Sequence, residues 1–237
     1  MEKVRINKFL ANLGIDSRRA IDQMIEQGRI TVNGKMAESG IKVDSSDEIF
    51  IDGKSIKKDK SEKVYFMLNK PQKVLSAVKD DRGRKLVVDL IKTDERIFPI
   101  GRLDYDTEGL IILTNDGEIY NRVIHPRGEV YKTYYVEVMG TVSLSTLNRL
   151  KKGVLLDDKM TLPARGKIIS STPQFTTLNF SIKEGRNRQV RRMFESVGHK
   201  VTFLKRIAIG DLVLDEKLKT GSYRPLRKKE VNYLNSL

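Results

Sequence analysis

The stretch IGRLDYDTEGLIILTNDGE, residues 100–118, carries the strongest structural signal in the chain. Its centre, GLIILT at 109–114, is a short apolar run rich in isoleucine and leucine, which predicts a buried strand. Arg102 and Asp104 come just before that run, so we expect both at the edge of a sheet. There the positive charge of Arg102 would hold the carboxyl group of Asp104 in its ionised form.

An ionised carboxylate at a sheet edge allows several kinds of chemistry. It can act as a nucleophile, as a base or as a metal ligand, and Asp104, Asp106 and Asp116 together could bind Mg²⁺. Asp and Gly are also common turn formers, and an ordinary turn is the more frequent explanation of such a pattern. The spacing of these residues alone does not choose between the alternatives.

Extended and helical patterns alternate on both sides of this stretch. SLSTLNRLKKG has a serine in position to cap a helix and a glycine in position to end it. The predicted strands are VYFMLNKP (64–71), YKTYYVEVMG (131–140) and TTLNFSIKEG (176–185), and the predicted helices are SLSTLNRLKKG (143–153) and RNRQVRRMFESVGH (186–199). This order predicts an α+β domain, built on a mixed, mostly antiparallel sheet with flanking helices.

A second, smaller domain precedes this one. KKDKSEK, residues 57–63, has no apolar residue and separates two well-patterned regions, so we predict a domain over 1–62 that includes this linker and a larger one over 63–237. In the small domain Gly14 ends a first helical stripe and Ser17 is a candidate cap for a second. ITV before Asn33-Gly34 predicts a tight hairpin.

The small domain resembles a known RNA-binding module. A helix, the SRR cap and the GRITVNG hairpin follow one another within a short span, in an order similar to that of the S4 module. The resemblance covers about residues 3–56. It implies that this domain holds RNA through phosphate contacts, which position the RNA without reading its sequence.

Charge and composition narrow the function further. The 45 Lys and Arg outnumber the 31 Asp and Glu, for a formal charge of +14, which favours a polyanion such as nucleic acid as partner. With no Cys and two His, a disulfide framework, a thiolate site or a histidine metal centre is not expected. No phosphate-cradling or dinucleotide motif occurs, and no apolar run approaches the roughly 18 residues of a membrane span. We expect a cytoplasmic protein that is monomeric and has no membrane partner.

GRLDYDTEGLIILTNDGE resembles the signature of bacterial pseudouridine synthases of the RsuA/RluB type. Further motifs of that family follow in the same order, and an S4 module ahead of them is usual for the subfamily. These motifs are LNKPQKVLSA (68–77), HPRGEVYKTYYVEVMG (125–140) and EGRNRQVRRMFESVGHKVTFLKRIAIG (184–210). Where Lys73 stands, the family usually has a glycine.

The resemblance implies the chemistry and the residues that perform it. Asp104 matches the catalytic carboxylate that attacks the target uridine, either by adding to C1′ or by abstracting a proton to give a glycal. Tyr134 matches the active-site tyrosine that stacks on the base, and Arg191 matches the basic partner of Asp104. Arg186 is the alternative partner. The family's reaction needs no cofactor and no metal.

Basic residues of the small S4-like domain, and others near the predicted catalytic residues, are expected to contact RNA. Tyr134 and Tyr135 should point to opposite faces of their strand, so that one of them only packs. Arg188, Arg191 and Arg192 should share one face of a helix by their spacing. The predicted RNA-binding residues are Lys8, Arg18, Arg19, Arg29, Arg102, Arg186, Arg188 and Arg192.

Three functions are compatible with these observations. The first is a pseudouridine synthase acting on ribosomal RNA, with 23S rRNA favoured over 16S because GRNRQVRRMF is closer to the large-subunit RluB type. The second is a non-catalytic S4-type RNA-binding assembly factor in which Asp104 is structural. The third is a metal-dependent RNA-processing enzyme that uses the neighbouring carboxylates.

Overall fold

The computed structural model of the protein describes residues 3–56, 62–124 and 130–237. Most of the predicted linker and His125 lie outside these residues. The chain divides into two compact units. The first comprises Met1–Val64 with Thr93–Arg96 and Asn115–Gly117, and the second comprises Tyr65–Lys92, Ile97–Thr114 and Glu118–Leu237.

The first unit combines two helices with short strands. Ser17 caps the second helix as predicted, because its side chain accepts a hydrogen bond from the backbone N–H of Ala20 at 3.1 Å. Strands β2 and β3 form the predicted hairpin around Asn33-Gly34, and the four-stranded order is β3-β2-β5-β6. The elements are β1 Val4–Arg5, α1 Ile6–Asn12, α2 Arg18–Glu26, β2 Ile30–Val32, β3 Lys35–Met36, β4 Lys42–Val43, β5 Ile49–Ile51 and β6 Lys54–Ser55.

The second unit contains the remaining strands and helices, and its architecture confirms the α+β prediction. Ser143 caps α4, where its side chain accepts from the N–H of Thr146 at 3.0 Å. A 3₁₀ turn covers Val88–Leu90. The elements are β7 Tyr65–Lys70, β8 Phe98–Ile100, β9 Glu108–Thr114, α3 Gly117–Ile124, β10 Lys132–Met139, α4 Leu144–Lys152, β11 Leu155–Leu156, β12 Lys159–Met160, β13 Arg165–Ser171, β14 Phe175–Ile182, α5 Gln189–Glu195, β15 Val201–Ile209, β16 Leu212–Val213, β17 Tyr223–Pro225 and α6 Lys228–Ser236.

A nine-stranded sheet organises this unit. Its main order is β13-β14-β10-β15-β9-β7-β17, with β16 paired to β15 and β8 paired to β9. The pairing is antiparallel except between β15 and β9, which run parallel. Helices α4 and α5 pack apolar side chains such as Leu150 and Phe194 onto one face of β10, β14 and β15. A second apolar cluster joins α3 and α6 to β7 and β9.

The parallel contact between β9 and β15 depends on a glycine. Gly109 has a φ of +105°, and a Cβ placed there would lie 2.2 Å from the carbonyl oxygen of Arg206. Only glycine accommodates both the close approach and this backbone conformation. The strand that follows Asp104 therefore starts at a fixed point beside β15.

Among the described residues, no helix is long and apolar enough to cross a lipid bilayer.

Candidate active site

A cavity of about 210 Å³ brings together two of the three residues that the sequence predicts as catalytic. Asp104 and Tyr134 both line it, with Arg102 and Arg188 at the same cavity. Its apolar lining comes from Ile182, Val190 and Leu204. A carboxylate, a phenol ring and apolar walls in one cavity form a suitable environment for a planar base.

Every backbone carbonyl oxygen from residue 103 to residue 107 accepts a hydrogen bond from another part of the protein. The loop joins β8 to β9, and the N–H of Thr107 donates to the carbonyl oxygen of Asp104 at 3.1 Å. The Ser76 hydroxyl donates to Leu103 O at 2.9 Å, and the N–H of Lys73 donates to Tyr105 O at 2.7 Å. A loop fixed in this way keeps its carboxylate in one place before substrate arrives.

Lys70 lies at the centre of this hydrogen-bond network, a role that was not predicted from the sequence. Its side chain is completely buried at the end of β7, and its ammonium donates to Asp104 O at 3.1 Å, Thr107 O at 3.0 Å and Pro71 O at 3.0 Å. Burial disfavours the charged form and lowers the pKa of Lys70 to about 8, although the nearby carboxylates oppose this shift. A lysine directly before proline at the end of an apolar strand was the available signal.

Arg191 is buried, and its ion-pair partner differs from the predicted one. Its Nε lies 3.4 Å from Asp106 Oδ2, and its Nη2 donates to Asp106 O at 2.8 Å. Within the part of the chain that the structure describes, Asp104 has no ion pair within 4.0 Å. The prediction that Arg191 forms a direct ion pair with Asp104 is therefore wrong. The alternative, a direct ion pair between Arg186 and Asp104, is wrong as well.

The charge of Asp104 nevertheless acts on Arg191 from a longer distance. Burial lowers the pKa of the Arg191 guanidinium, and the negative charges of Asp106 and Asp104 both oppose that shift. Asp104 thus remains electrostatically coupled to a buried cation without touching it.

Asp106 links two arginines, and this too was not predicted. Arg188 donates to both of its carboxylate oxygens, at 3.1 and 3.0 Å, while Arg191 approaches Oδ2. Burial acts to raise the pKa of Asp106, but the hydrogen bonds from Arg188 and the charge of Arg191 outweigh it and hold this pKa below its usual range. The carboxylate therefore fixes Arg188 at the cavity and Arg191 beneath the loop.

The prediction that Arg188, Arg191 and Arg192 share a helix face is wrong. Helix α5 begins at Gln189, and Arg188 lies before it in the left-handed conformation with φ +50°. Arg192 pairs with Asp157 through two hydrogen bonds of 2.8 and 2.5 Å. Arg188 and Arg191 consequently meet at Asp106, whereas Arg192 contacts Asp157.

Arg186 lines the cavity but is occupied by protein groups. Its guanidinium donates to Lys159 O at 3.0 Å, to Met160 O at 2.7 Å and to Glu184 at 3.1 Å. These contacts hold the β11–β12 hairpin. The arginine therefore has a structural role in the free protein, where the sequence predicted a phosphate contact.

Tyr134 and Tyr135 point to opposite faces of β10, as predicted. Tyr134 faces the cavity and packs against the apolar cluster of α4 and α5. Tyr135 packs edge to face against Phe203, with ring centroids 6.2 Å apart.

The predicted RNA-binding residues of the first unit are partly accessible. Arg18 and Arg19 are exposed in the first turn of α2, and Lys8 is half-buried on α1. Arg29 is exposed and makes a two-point ion pair with Asp52, at 2.9 and 2.5 Å.

The proposed Mg²⁺ cluster does not form in the described residues. Asp116 is buried and pairs with Lys63 at 3.0 Å. No group of three or more His, Cys, Asp or Glu side chains in this part of the chain is arranged to hold a metal ion.

Comparisons with known proteins identify both units. A family model described as RNA pseudouridylate synthase matches residues 64–196, and a model of the S4 domain matches residues 4–49. Ribosomal large subunit pseudouridine synthase B of Bacillus subtilis (strain 168) is 46% identical over 98% of this chain and 96% of that protein. An uncharacterized RNA pseudouridine synthase of Aquifex aeolicus is 44% identical over 99% and 94%. A crystal structure of a pseudouridylate synthase aligns with a TM-score of 0.71 and 33% identity, covering 98% of this chain and 99% of that one.

Proposed function

This chain belongs to the RNA pseudouridylate synthase family, and on that premise we propose that it converts one uridine of large-subunit (23S) ribosomal RNA to pseudouridine. The 46% identity with the Bacillus subtilis large-subunit enzyme over almost the whole of both chains supports this choice of substrate. The S4 domain adds a second RNA-binding unit. The cytoplasmic location and monomeric state expected from the sequence stay predictions.

The observation that carries the proposal is the meeting of Asp104 and Tyr134 at one cavity. In the proposed reaction the carboxylate of Asp104 promotes cleavage of the bond between N1 of the base and C1′ of the ribose. The uracil turns in place, and C5 forms the new bond to C1′. The proton on C5 is lost and N1 gains one, so the product is an isomer of the substrate.

Tyr134 holds the base while it turns. A uridine within folded RNA must first leave its stack, at a cost of a few kcal/mol. Stacking on an aromatic ring contributes about 1–3 kcal/mol per base and offsets most of that cost. The ring of Tyr134 is backed by apolar packing, so it offers a fixed surface against which a detached uracil can rotate.

Two cationic side chains near the loop of Asp104 favour a negative charge in the cavity. Arg191 and Lys70 lie beneath the loop, and neither makes an ion pair with Asp104 through its side chain. Their positive charge offsets the desolvation of the Asp104 carboxylate when a base covers it. Arg191 and Lys70 therefore support a reacting carboxylate at Asp104.

Mapping pseudouridines in ribosomal RNA tests the proposal. Carbodiimide-dependent reverse-transcription stops are compared between cells with and without this gene, and again after the gene is restored. We expect one stop in 23S rRNA to disappear and return. Loss of a stop in 16S rRNA would assign the enzyme to the small subunit, and no change in either RNA would refute the proposed substrate. Activity of the purified protein should be unchanged by EDTA, whereas a metal-dependent enzyme would stop.

A further inference from the structure

One face of β13, β14, β10 and β15 carries a continuous row of polar and aromatic side chains. Strand pairing places Lys167 opposite Asn179, Asn179 opposite Tyr135, and Tyr135 opposite Lys205. Side chains of paired residues lie on the same face of a sheet. At about 4.8 Å between neighbouring strands, the row extends roughly 14 Å. We call the surface around this row, with Thr133, Ser181 and Phe203, the open sheet face.

The alternation of buried and partly exposed side chains along the strands shows that the sheet has one covered and one open face. On β14 the even-numbered Leu178, Phe180 and Ile182 are buried in the cluster of α4 and α5, while Asn179 and Ser181, which alternate with them, are partly exposed. Tyr135 and Lys205 show the same partial exposure on β10 and β15. The open sheet face is therefore the side away from the cavity, which Tyr134 faces.

Cations and aromatic rings are interleaved on and beside the open sheet face. The Arg165 guanidinium lies 4.1 Å from the centre of the Tyr131 ring, and Lys183 Nζ lies 5.2 Å from the same ring. Tyr135 and Phe203 form the edge-to-face pair. Such side chains on a sheet suit single-stranded RNA, because phosphates pair with the cations and bases stack on the rings.

The charge balance also favours a polyanion. Four cations, Arg165, Lys167, Lys183 and Lys205, lie on or border the face. Two carboxylates accompany them. Glu137 accepts a hydrogen bond from the Thr202 hydroxyl at 2.7 Å, and Glu108 lies beside Lys205 in the parallel ladder.

We propose that the open sheet face binds a single-stranded segment of the RNA substrate, separate from the nucleotide that enters the cavity. Lys167 and Lys205 contact phosphates, and Tyr135 with Phe203 stacks against bases. The inference rests on the proposed function in that the partner is the RNA substrate. It adds a contact surface on the side of the sheet away from the reacting groups.

Charge reversal at the ends of the row tests this surface. Binding of the full-length protein to a 23S rRNA transcript, and to an oligonucleotide of adenosine and cytidine only, is measured over a range of salt concentrations. The test variant is Lys167→Glu with Lys205→Glu. The matched control is Lys151→Glu with Lys152→Glu, which makes the same charge change on exposed positions of α4.

We expect the test variant to bind both RNAs about tenfold more weakly than the control. The slope of log affinity against log salt should fall by about 1.4, since a phosphate contact to a single strand contributes about 0.7. Tyr135→Thr keeps a residue suited to a strand and should weaken binding without changing this slope. If Lys205→Glu disturbs folding, Lys167→Glu alone, at an exposed position of the edge strand, should still weaken binding and lower the slope relative to Lys151→Glu.

Equal RNA affinities of the test and control variants would overturn the proposal. The open sheet face would then be a candidate surface for a protein partner. That result is distinct from a failure of the proposed function, because wild-type protein would still form pseudouridine in the transcript. Conversely, weakened binding with no pseudouridine formed by the wild-type protein would retain the RNA surface and refute the function.

Discussion

Replacing Lys70 with methionine tests whether a buried ammonium holds the loop of Asp104. Methionine keeps the length and most of the volume of the lysine side chain but removes its charge and its three hydrogen bonds. Lys70 is 0% exposed, and its pKa falls from 10.5 to about 8. At about 1.4 kcal/mol per pKa unit, the difference between 10.5 and 8 corresponds to about 3.5 kcal/mol.

The direction in which stability changes with pH follows from whether the folded or the unfolded protein holds the Lys70 proton. Between pH 8 and 10.5 the folded protein has lost the Lys70 proton while the unfolded chain retains it, so the free energy of unfolding rises with pH across that interval. About 2 kcal/mol of this rise should appear between pH 7 and 9.5. Lys70→Met should lack this contribution, and Lys79→Met, at an exposed lysine, should retain it.

Urea unfolding of the three proteins at pH 7 and 9.5 measures this contribution directly. Because Lys70 also fixes the carbonyl groups of Asp104 and Thr107, we expect kcat of Lys70→Met to fall at least about tenfold, since small displacements of reacting groups have large effects on rate. RNA affinity should stay near that of Lys79→Met. The same change in the free energy of unfolding between pH 7 and 9.5 for wild type, Lys70→Met and Lys79→Met, together with an unchanged kcat of Lys70→Met, would refute the role assigned to Lys70.

Three further variants follow from the structure. Lys73 is exposed with φ +60°, so Lys73→Gly should remove backbone strain and raise the free energy of unfolding by up to about 1 kcal/mol in urea titrations, whereas a loss of stability would contradict this account. Arg186→Met should lower that free energy by about 2 kcal/mol and speed amide exchange in the β11–β12 hairpin, with little change in the salt dependence of RNA binding. A changed salt dependence would instead indicate a phosphate contact. Arg18→Ala with Arg19→Ala should weaken RNA binding at low salt and leave single-turnover kcat unchanged; an unaltered affinity would exclude these positions from RNA binding.

Local patterns in the sequence were sufficient for much of the fold. The caps at Ser17 and Ser143 depend on residues three positions apart, and the opposite orientations of Tyr134 and Tyr135 follow from the two-residue period of a strand. The start of α5 was harder to locate. Arg188 adopts a left-handed conformation that a sequence pattern does not reveal, so the expected arginine face was wrong.

Contacts between distant parts of the chain account for the remaining differences. Arg186 in a run of arginines has the same sequence signal whether it meets a phosphate or a carbonyl group, and only the fold brings Lys159 O within its reach. Lys70 is 34 residues from Asp104, and its burial depends on how β7 pairs with β9. Asp106 likewise meets Arg191 only after α5 packs near the loop.

The central claim is that the carboxylate of Asp104 performs the reaction. Single-turnover formation of pseudouridine in a 23S rRNA transcript by Asp104→Asn is the most direct test, with Asp81→Asn at an exposed carboxylate as control. We expect no detectable product from Asp104→Asn and an RNA affinity within a few-fold of wild type. Asp81→Asn should form pseudouridine at the wild-type rate. Pseudouridine formed by Asp104→Asn at the wild-type rate would contradict the central claim.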